Sequence, residues 1–185
     1  MSWYTKLETW CFAHRIWATA PVIILLILFA KPEQTLLCIG AGIVILGELG
    51  RIWASGYIDK NTRLATAGPY RFTRNPLYVF NIVVLLGFCV MASNPWTGTL
   101  AMASFITIYR PAVRNEAAFV RNIFKEEYDR WAEVVPLFWP KWTNYPAQGN
   151  YSWSLVMKHR EHKNAFAMIA GILLFVAIYY YQQNI

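Results

Sequence analysis

Apolar runs recur along this chain from one end to the other, set apart by short polar breaks: Ile16 to Ala30, Leu36 to about Ala54, Leu77 to Ala92, Trp96 to Tyr109 and Ala165 to Tyr181. A soluble domain of 185 residues encloses one core and needs polar surface around it, and little is left here. With 57% hydrophobic and 15% charged residues, the balance is that of a membrane protein. A soluble Rossmann enzyme, a disulfide-stapled secreted domain and a disordered tail are all argued against on this ground. A bilayer-crossing helix takes about 20 residues, so the first and fourth runs must borrow flanking aromatics or lie partly inside a bundle. Lys31-Pro32 and Ser93-Asn94-Pro95 punctuate the runs as the turns of tight helical hairpins. The expectation is an all-α membrane protein of about five transmembrane helices arranged in hairpins.

Charge placement agrees. The formal charge is +7, which suits nucleic acid, anionic lipid or the positive-inside bias alike. Basic residues concentrate in two polar stretches. The first, with Arg51 at its edge, carries Lys60, Arg63, Arg71 and Arg74; the second carries Arg110, Arg114, Arg121, Lys125, Arg130, Lys141, Lys158, Arg160 and Lys163. Five crossings with both stretches cytoplasmic also put Lys6 and Arg15 on that side, leaving Lys31 alone outside. Topology therefore accounts for the charge without a nucleic-acid partner. It predicts a multi-pass protein with the N-terminus and main loops cytoplasmic and the C-terminus external. Trp3, Trp10 and the late start of the first apolar run do not fit a cleavable signal peptide.

Cys11, Cys38 and Cys89 stand singly, without metal-ligand or pairing spacing, and read as small packing residues. His14, His159 and His162 are too scattered for a metal site, and the last two read as a solvated juxtamembrane face. Gly40, Gly42 and Gly47 lie inside an apolar run, where small residues let helices approach closely. Ala112 to Glu133 reads as an amphipathic helix, with Val113, Val120, Phe124, Tyr128 and Trp131 at roughly helical spacing and Glu126 and Arg130 as an i, i+4 pair. Val134 to Pro140 reads as an apolar segment pinned by two prolines over a pocket or against the membrane.

Glu48 and Arg51 stand three apart near the end of the second run, where charge is costly unless paired or facing a polar cavity. They pair with each other, or Arg51 points into a site. The most informative stretch is Gly68-Pro69-Tyr70-Arg71-Phe72-Thr73-Arg74-Asn75-Pro76-Leu77-Tyr78. Gly68-Pro69 fixes a turn, Pro76 suits a first helical turn, and that helix start offers free N–H groups and a positive dipole end. With Arg71 and Arg74 it forms a place for an anion or carboxylate. Interfacial anchoring by the same tyrosines and arginines is the plain alternative.

This stretch, followed after a helical hairpin by Arg114-Asn115-Glu116, Phe124-Lys125-Glu126-Glu127-Tyr128 and Val135-Pro136 ending in Trp139-Pro140, resembles the integral-membrane methyltransferases related to isoprenylcysteine carboxyl methyltransferases and phospholipid N-methyltransferases. The matched elements run from about Glu48 to Pro140. Asn75 stands where many relatives have His, and Ala117 replaces the second residue of an acidic pair. The resemblance implies a membrane core over 1–164, with its motif region at 48–140, and an additional C-terminal helix and tail at 165–185. It implies an amphipathic helix and cytoplasmic loop capping a pocket for S-adenosylmethionine, with no metal.

Within that resemblance, Arg74, Asn75 and Glu116 are the candidate catalytic residues. Gly68, Pro69, Tyr70, Arg74, Asn75, Pro76, Tyr78 and Glu116 would bind the cofactor: Glu116 the donor's amino group, Arg74 and the Asn75-Pro76 turn its carboxylate, and the rings of Tyr70, Phe72, Tyr78, Phe138 and Trp139 its cationic sulfur. Glu116 could instead pair with Arg114. Arg51, Arg71, Arg110 and Arg114 would bind the acceptor, a membrane-embedded lipid or lipidated molecule. Many arginines and one candidate acid tilt the reading towards an anionic oxygen, since an amine acceptor needs a carboxylate for its proton. A phospholipid amine N-methyltransferase, an NADPH-dependent membrane reductase with Tyr78 as proton donor, and a nonenzymatic scaffold are the alternatives.

Overall fold

A computed structural model describes residues 15–59 and 62–184 of the chain. The readings that rest on Trp3, Lys6, Trp10, Cys11, His14 and Lys60 lie outside the described residues. Among the described residues six α-helices form: α1 (Arg15–Leu28), α2 (Gln34–Ser55), α3 (Pro76–Ala92), α4 (Pro95–Val134), α5 (Trp153–Lys158) and α6 (Glu161–Gln183), with a 3₁₀ turn at Gly68–Arg71 before α3. No strand forms among the described residues. α2 and α6 are long and apolar enough to cross a membrane, while Thr19–Leu28 and Pro76–Ala92 are shorter apolar helices.

α2 and α3 make the tightest pairing, and small residues are the cause. A Cβ on Gly40 would stand 2.6 Å from the Gly87 carbonyl oxygen, one on Gly47 2.8 Å from the Val84 nitrogen, and one on Gly87 2.7 Å from the Val44 nitrogen. The two backbones therefore run in direct contact, as small residues permit. Gly42 takes no part, because a Cβ there would meet nothing within 4 Å. Val44, Val84 and Met91 fill the seam, joined by Leu26 of α1 and Phe175 of α6.

The hairpin turns close as the sequence predicts. Ser93 takes a left-handed conformation (φ 51°), and the Asn94 side chain accepts from the Trp96 and Thr97 N–H groups to cap α4. The two turns also bind each other: Lys31 N donates to the Ala92 carbonyl (2.8 Å) and Asn94 Nδ2 to that of Phe29 (2.9 Å). Gln182, at the far end of α6, donates to Ala30 (3.0 Å), so the chain's C-terminal end joins the turn end of the bundle.

Four sequence expectations change. The fourth apolar run continues through Pro111 into the amphipathic stretch without a break, and the 40 residues of α4 are two helices joined at a kink, where Lys125 leaves helical geometry (φ 44°, ψ −115°). The composition switch at Arg110 marks a change of surroundings rather than a helix end, and the missing proline N–H costs a single rung. Across the bend Arg121 pairs with Asp129 (2.7 Å), in place of the expected Glu126–Arg130 pair. The last helix begins at Glu161, four residues before its apolar run. Cys38 is exposed on α2 rather than buried, and Cys89 is partly buried.

The outward faces remain apolar. Leu28 is 71% exposed, Leu46 65% and Phe166 70%, and only 6% of the apolar window of α6 is covered by the rest of the chain. Such a surface belongs against lipid, and together with the two candidate spans it marks membrane association.

Candidate functional site

Opposite the turn end, loop residues Ile58, Asp59, Arg63, Leu64, Ala65, Tyr70 and Arg74 and side chains of α2, α3, α4 and α6 line a cavity of about 880 Å³, within the size range of small-molecule sites. The loop that opens it is built by local rules. Gly68 adopts φ 58°, with the Tyr57 ring where a side chain would project, so glycine is required there. The 3₁₀ turn buries Pro69 and Tyr70, and Asn75 then stands at the N-cap position of α3 without a side-chain capping bond. The stretch after α4 threads along this loop: Arg74 N donates to the Pro136 carbonyl (2.9 Å), Thr73 Oγ1 to that of Phe138 (2.8 Å), Asn75 Nδ2 to that of Leu137 (3.0 Å) and Lys141 N to that of Phe72 (2.9 Å). The proline-pinned segment is thus a backbone partner of the motif loop.

Tyr78, one turn into α3, donates to Glu116 of α4 at 2.9 Å. Arg74 donates to the Tyr128 hydroxyl at 2.7 Å, its guanidinium carbon 5.3 Å from that ring's centre. Arg51 makes three links: Nη1 to Asn81 Oδ1 (2.7 Å), Nη2 to Glu161 Oε2 (3.0 Å) and Nε to Glu48 Oε2 (3.5 Å). Arg51 thus pairs with Glu48 and also lines the cavity. Burial holds the Tyr70 phenol well above its ordinary range, with the Glu116 and Glu161 carboxylates adding to the shift.

Of the sequence's candidates, Arg51, Tyr70, Arg74, Asn75, Pro76, Tyr78 and Glu116 line the cavity. Gly68 and Pro69 shape the turn behind it. Arg71 is half-buried outside it, its carbonyl accepting from Thr143, and Arg110 and Arg114 are exposed outside it. The Asn75 carbonyl accepts from the Tyr78 and Val79 N–H groups, so much of the expected anion-binding helix start is already satisfied. Of the five rings expected around the sulfur, Tyr70 and Tyr78 line the cavity, whereas Phe138 lies outside it, Phe72 packs against Trp142 with tilted rings (5.1 Å) and Trp139 is exposed; Tyr109, Phe119, Phe124, Tyr128 and Trp131 supply the other rings. His159 and His162 are half-buried rather than solvated, with His159 Nε2 2.9 Å from the Ile58 carbonyl oxygen.

Asn81, Tyr128, Trp131 and Glu161 line the cavity without having been singled out. Trp131 and Tyr128 look like core positions of an amphipathic helix, and no local pattern separates a core ring from a cavity wall. Glu161 offered one signal, a carboxylate directly ahead of an apolar run.

The fold and site define a helical membrane protein with a polar cavity at one end of its bundle. The profile of the phospholipid methyltransferase family matches residues 34–127, just over half of the chain. The chain belongs to that family, which makes it a membrane methyltransferase by kinship. It is 29% identical over 159 residues to the nickel-cobalt-cadmium resistance protein NccN of Alcaligenes xylosoxydans xylosoxydans, covering 80% of this chain and 74% of that protein. It is 36% identical over 123 residues to the cobalt-zinc-cadmium resistance protein CzcN of Cupriavidus metallidurans, covering 65% of this chain and 55% of that one. No solved structure matches the chain. Among the described residues, no three His, Cys, Asp or Glu side chains gather as a metal would require.

Proposed function

We propose that this chain is an S-adenosylmethionine-dependent methyltransferase acting on a lipid or lipidated acceptor that reaches it from the bilayer. The Tyr78–Glu116 hydrogen bond carries the reading, because it joins the two halves of the motif, 38 residues apart in sequence, at one cavity wall. The residues fit the donor. Trp131 Nε1 and Arg74 Nε are buried N–H donors with no acceptor among the described residues, on two residues that line the cavity. They suit the carboxylate or ring nitrogens of such a ligand. Glu116 suits its amino group, and the surrounding tyrosine and tryptophan rings suit a cation. When bound, S-adenosylmethionine supplies a methyl group on a positively charged sulfur; the chain holds the acceptor in line and keeps water out.

The acceptor atom reads differently from the sequence expectation. Of the four arginines that pointed to an anionic oxygen, only Arg51 lines the cavity, and the Glu48 and Glu161 carboxylates already pair with its guanidinium. The lining as a whole balances, with Arg51, Arg63 and Arg74 against Asp59, Glu116 and Glu161, but an oxyanion at Arg51 would meet the two carboxylates paired with it, whereas an amine finds one of them for its proton. We therefore read the acceptor as an amine. We read the bundle as multi-pass, with five crossings and the basic loop end cytoplasmic. The clustering of both hairpin turns and Gln182 at the opposite end supports this.

The test is calorimetric binding of S-adenosylmethionine and, separately, NADPH to the purified protein, with labelled-methyl transfer into vesicles of phosphatidylethanolamine or phosphatidic acid. Donor binding with label in phosphatidylethanolamine is the expected result. Label in phosphatidic acid alone restores the oxyanion reading. Binding of NADPH makes the chain a reductase, and binding of neither makes it a scaffold.

A further inference from the structure

A second cavity, of about 390 Å³, lies inside the bundle among α1, α3, α4 and α6, with Leu26, Phe88, Phe105, Met168 and Phe175 in its walls. It shares Arg51, Asn81 and Tyr109 with the polar cavity, so the two meet at the Arg51 guanidinium. An amphiphile with its hydrocarbon in the apolar chamber would present its head at that junction. The junction holds two carboxylates against one guanidinium. Glu48 has a side chain 8% exposed, and neither of its oxygens accepts a hydrogen bond. Glu161 is 5% exposed, and its Oε2 accepts from both Arg51 Nη2 and Asn164 Nδ2, at 3.0 Å each. Its Oε1 has no hydrogen-bond partner among the described residues, and Glu161 lines the polar cavity.

Resting on the methyltransferase reading, we propose that Glu161 binds the acceptor's ammonium and takes up its proton, so that the C-terminal helix, outside the family-matched residues, is part of the active site. Arg51 and Asn164 fix one carboxylate oxygen, which turns the other to the acceptor. The ammonium passes a proton to Oε1, and the freed nitrogen lone pair forms the bond to the methyl carbon. The carbon–sulfur bond breaks and its electron pair stays on sulfur. The N-methylammonium and S-adenosylhomocysteine leave, and the Glu161 proton returns to solvent. α6 spans from this junction to the turn end, where Gln182 is tied to Ala30, so its ends are held at both faces of the bundle.

The experiment compares the full-length wild type with Glu161→Gln and Glu161→Asp in lipid nanodiscs. Two readouts are donor affinity by calorimetry and labelled-methyl transfer to phosphatidylethanolamine. The third is protection against thermal unfolding by dodecylamine, with dodecanoate as the charge-reversed probe. Glu161→Gln is expected to lose transfer by about 100-fold, to keep its donor affinity, and to lose the protection that dodecylamine gives the wild type. Glu161→Asp, which keeps the charge one methylene further back, is expected to recover part of the transfer, and it carries the test if Glu161→Gln does not fold. Wild-type transfer by Glu161→Gln, an equal loss of donor affinity, or equal protection by dodecanoate overturns the proposal and leaves the methyltransferase reading standing. A wild type that binds no donor overturns both.

Discussion

The two ends of this bundle treat polar groups in opposite ways. At the turn end the backbone groups of 29–33 and 92–95 are matched to one another, and the neighbouring core is closed, with Met91 and Ala92 fully buried. At the loop end stand all the buried side-chain polar atoms that find no hydrogen-bond partner among the described residues: both Glu48 oxygens and Arg51 Nε, which form only the longer ion pair with each other, and Nε of Arg71 and Arg74, Trp131 Nε1 and His162 Nδ1. An unmatched buried polar group costs about 1–3 kcal/mol, so a fold that concentrates them at one end is keeping them for something other than stability. The turn end holds the helices together, and the loop end holds the chemistry.

Mutations at the two ends should separate stability from ligand affinity. Met91→Ala, which opens a void where α2 and α3 touch, is expected to cost about 2–5 kcal/mol of stability in reversible unfolding and to leave donor affinity unchanged in the folded fraction. A matching loss of donor affinity would break the division. Glu116→Gln keeps the shape but removes the charge facing Tyr78, and is expected to weaken donor binding by about 10- to 100-fold, the worth of a charged hydrogen bond. Unfolding temperature is the control, and an unchanged dissociation constant would remove Glu116 from the site.

Trp131→Phe discards an N–H that nothing among the described residues accepts. It is expected to weaken donor binding by about 2- to 12-fold with unfolding temperature unchanged or raised; a clear loss of stability would mean that the indole is only a core ring. The smallest effect concerns pH. Tyrosine in an unfolded chain ionises near pH 10, about the model-peptide value, whereas burial and the nearby carboxylates keep Tyr70 protonated above that. Stability should thus be insensitive to Tyr70 below that pH and fall above it, as the unfolded state releases a proton that the folded state retains. Tyr70→Phe should flatten this alkaline limb, read from unfolding temperatures between pH 9 and 11.

Much of the architecture was legible because its causes are local. Lys31-Pro32 and Ser93-Asn94-Pro95 stop helices through backbone chemistry that any surroundings would respect, and Gly68-Pro69 does the same for the 3₁₀ turn. The order of motif elements also put Arg74, Asn75, Tyr78 and Glu116 forward together, and they line one cavity. The continuity of α4 through Pro111 was hidden, since a proline beside a shift to polar residues has the same local signature whether a helix ends or runs on. The arginines misled for a related reason: in a basic loop, charge count is set by topology, and direction by packing.

The sequence by itself determined the apolar helices, their turns, the basic character of one end and the family motif, because each follows from the residue types within a few positions of one another. Tertiary structure alone decided that Arg51 meets Glu161 across 110 residues, that Arg110 and Arg114 face away from the cavity, and that two cavities share a guanidinium. Such pairings depend on which helix faces which. That choice is made by the collective packing of Gly40, Gly47 and Gly87 against neighbouring backbone, and no single stretch of the chain encodes it.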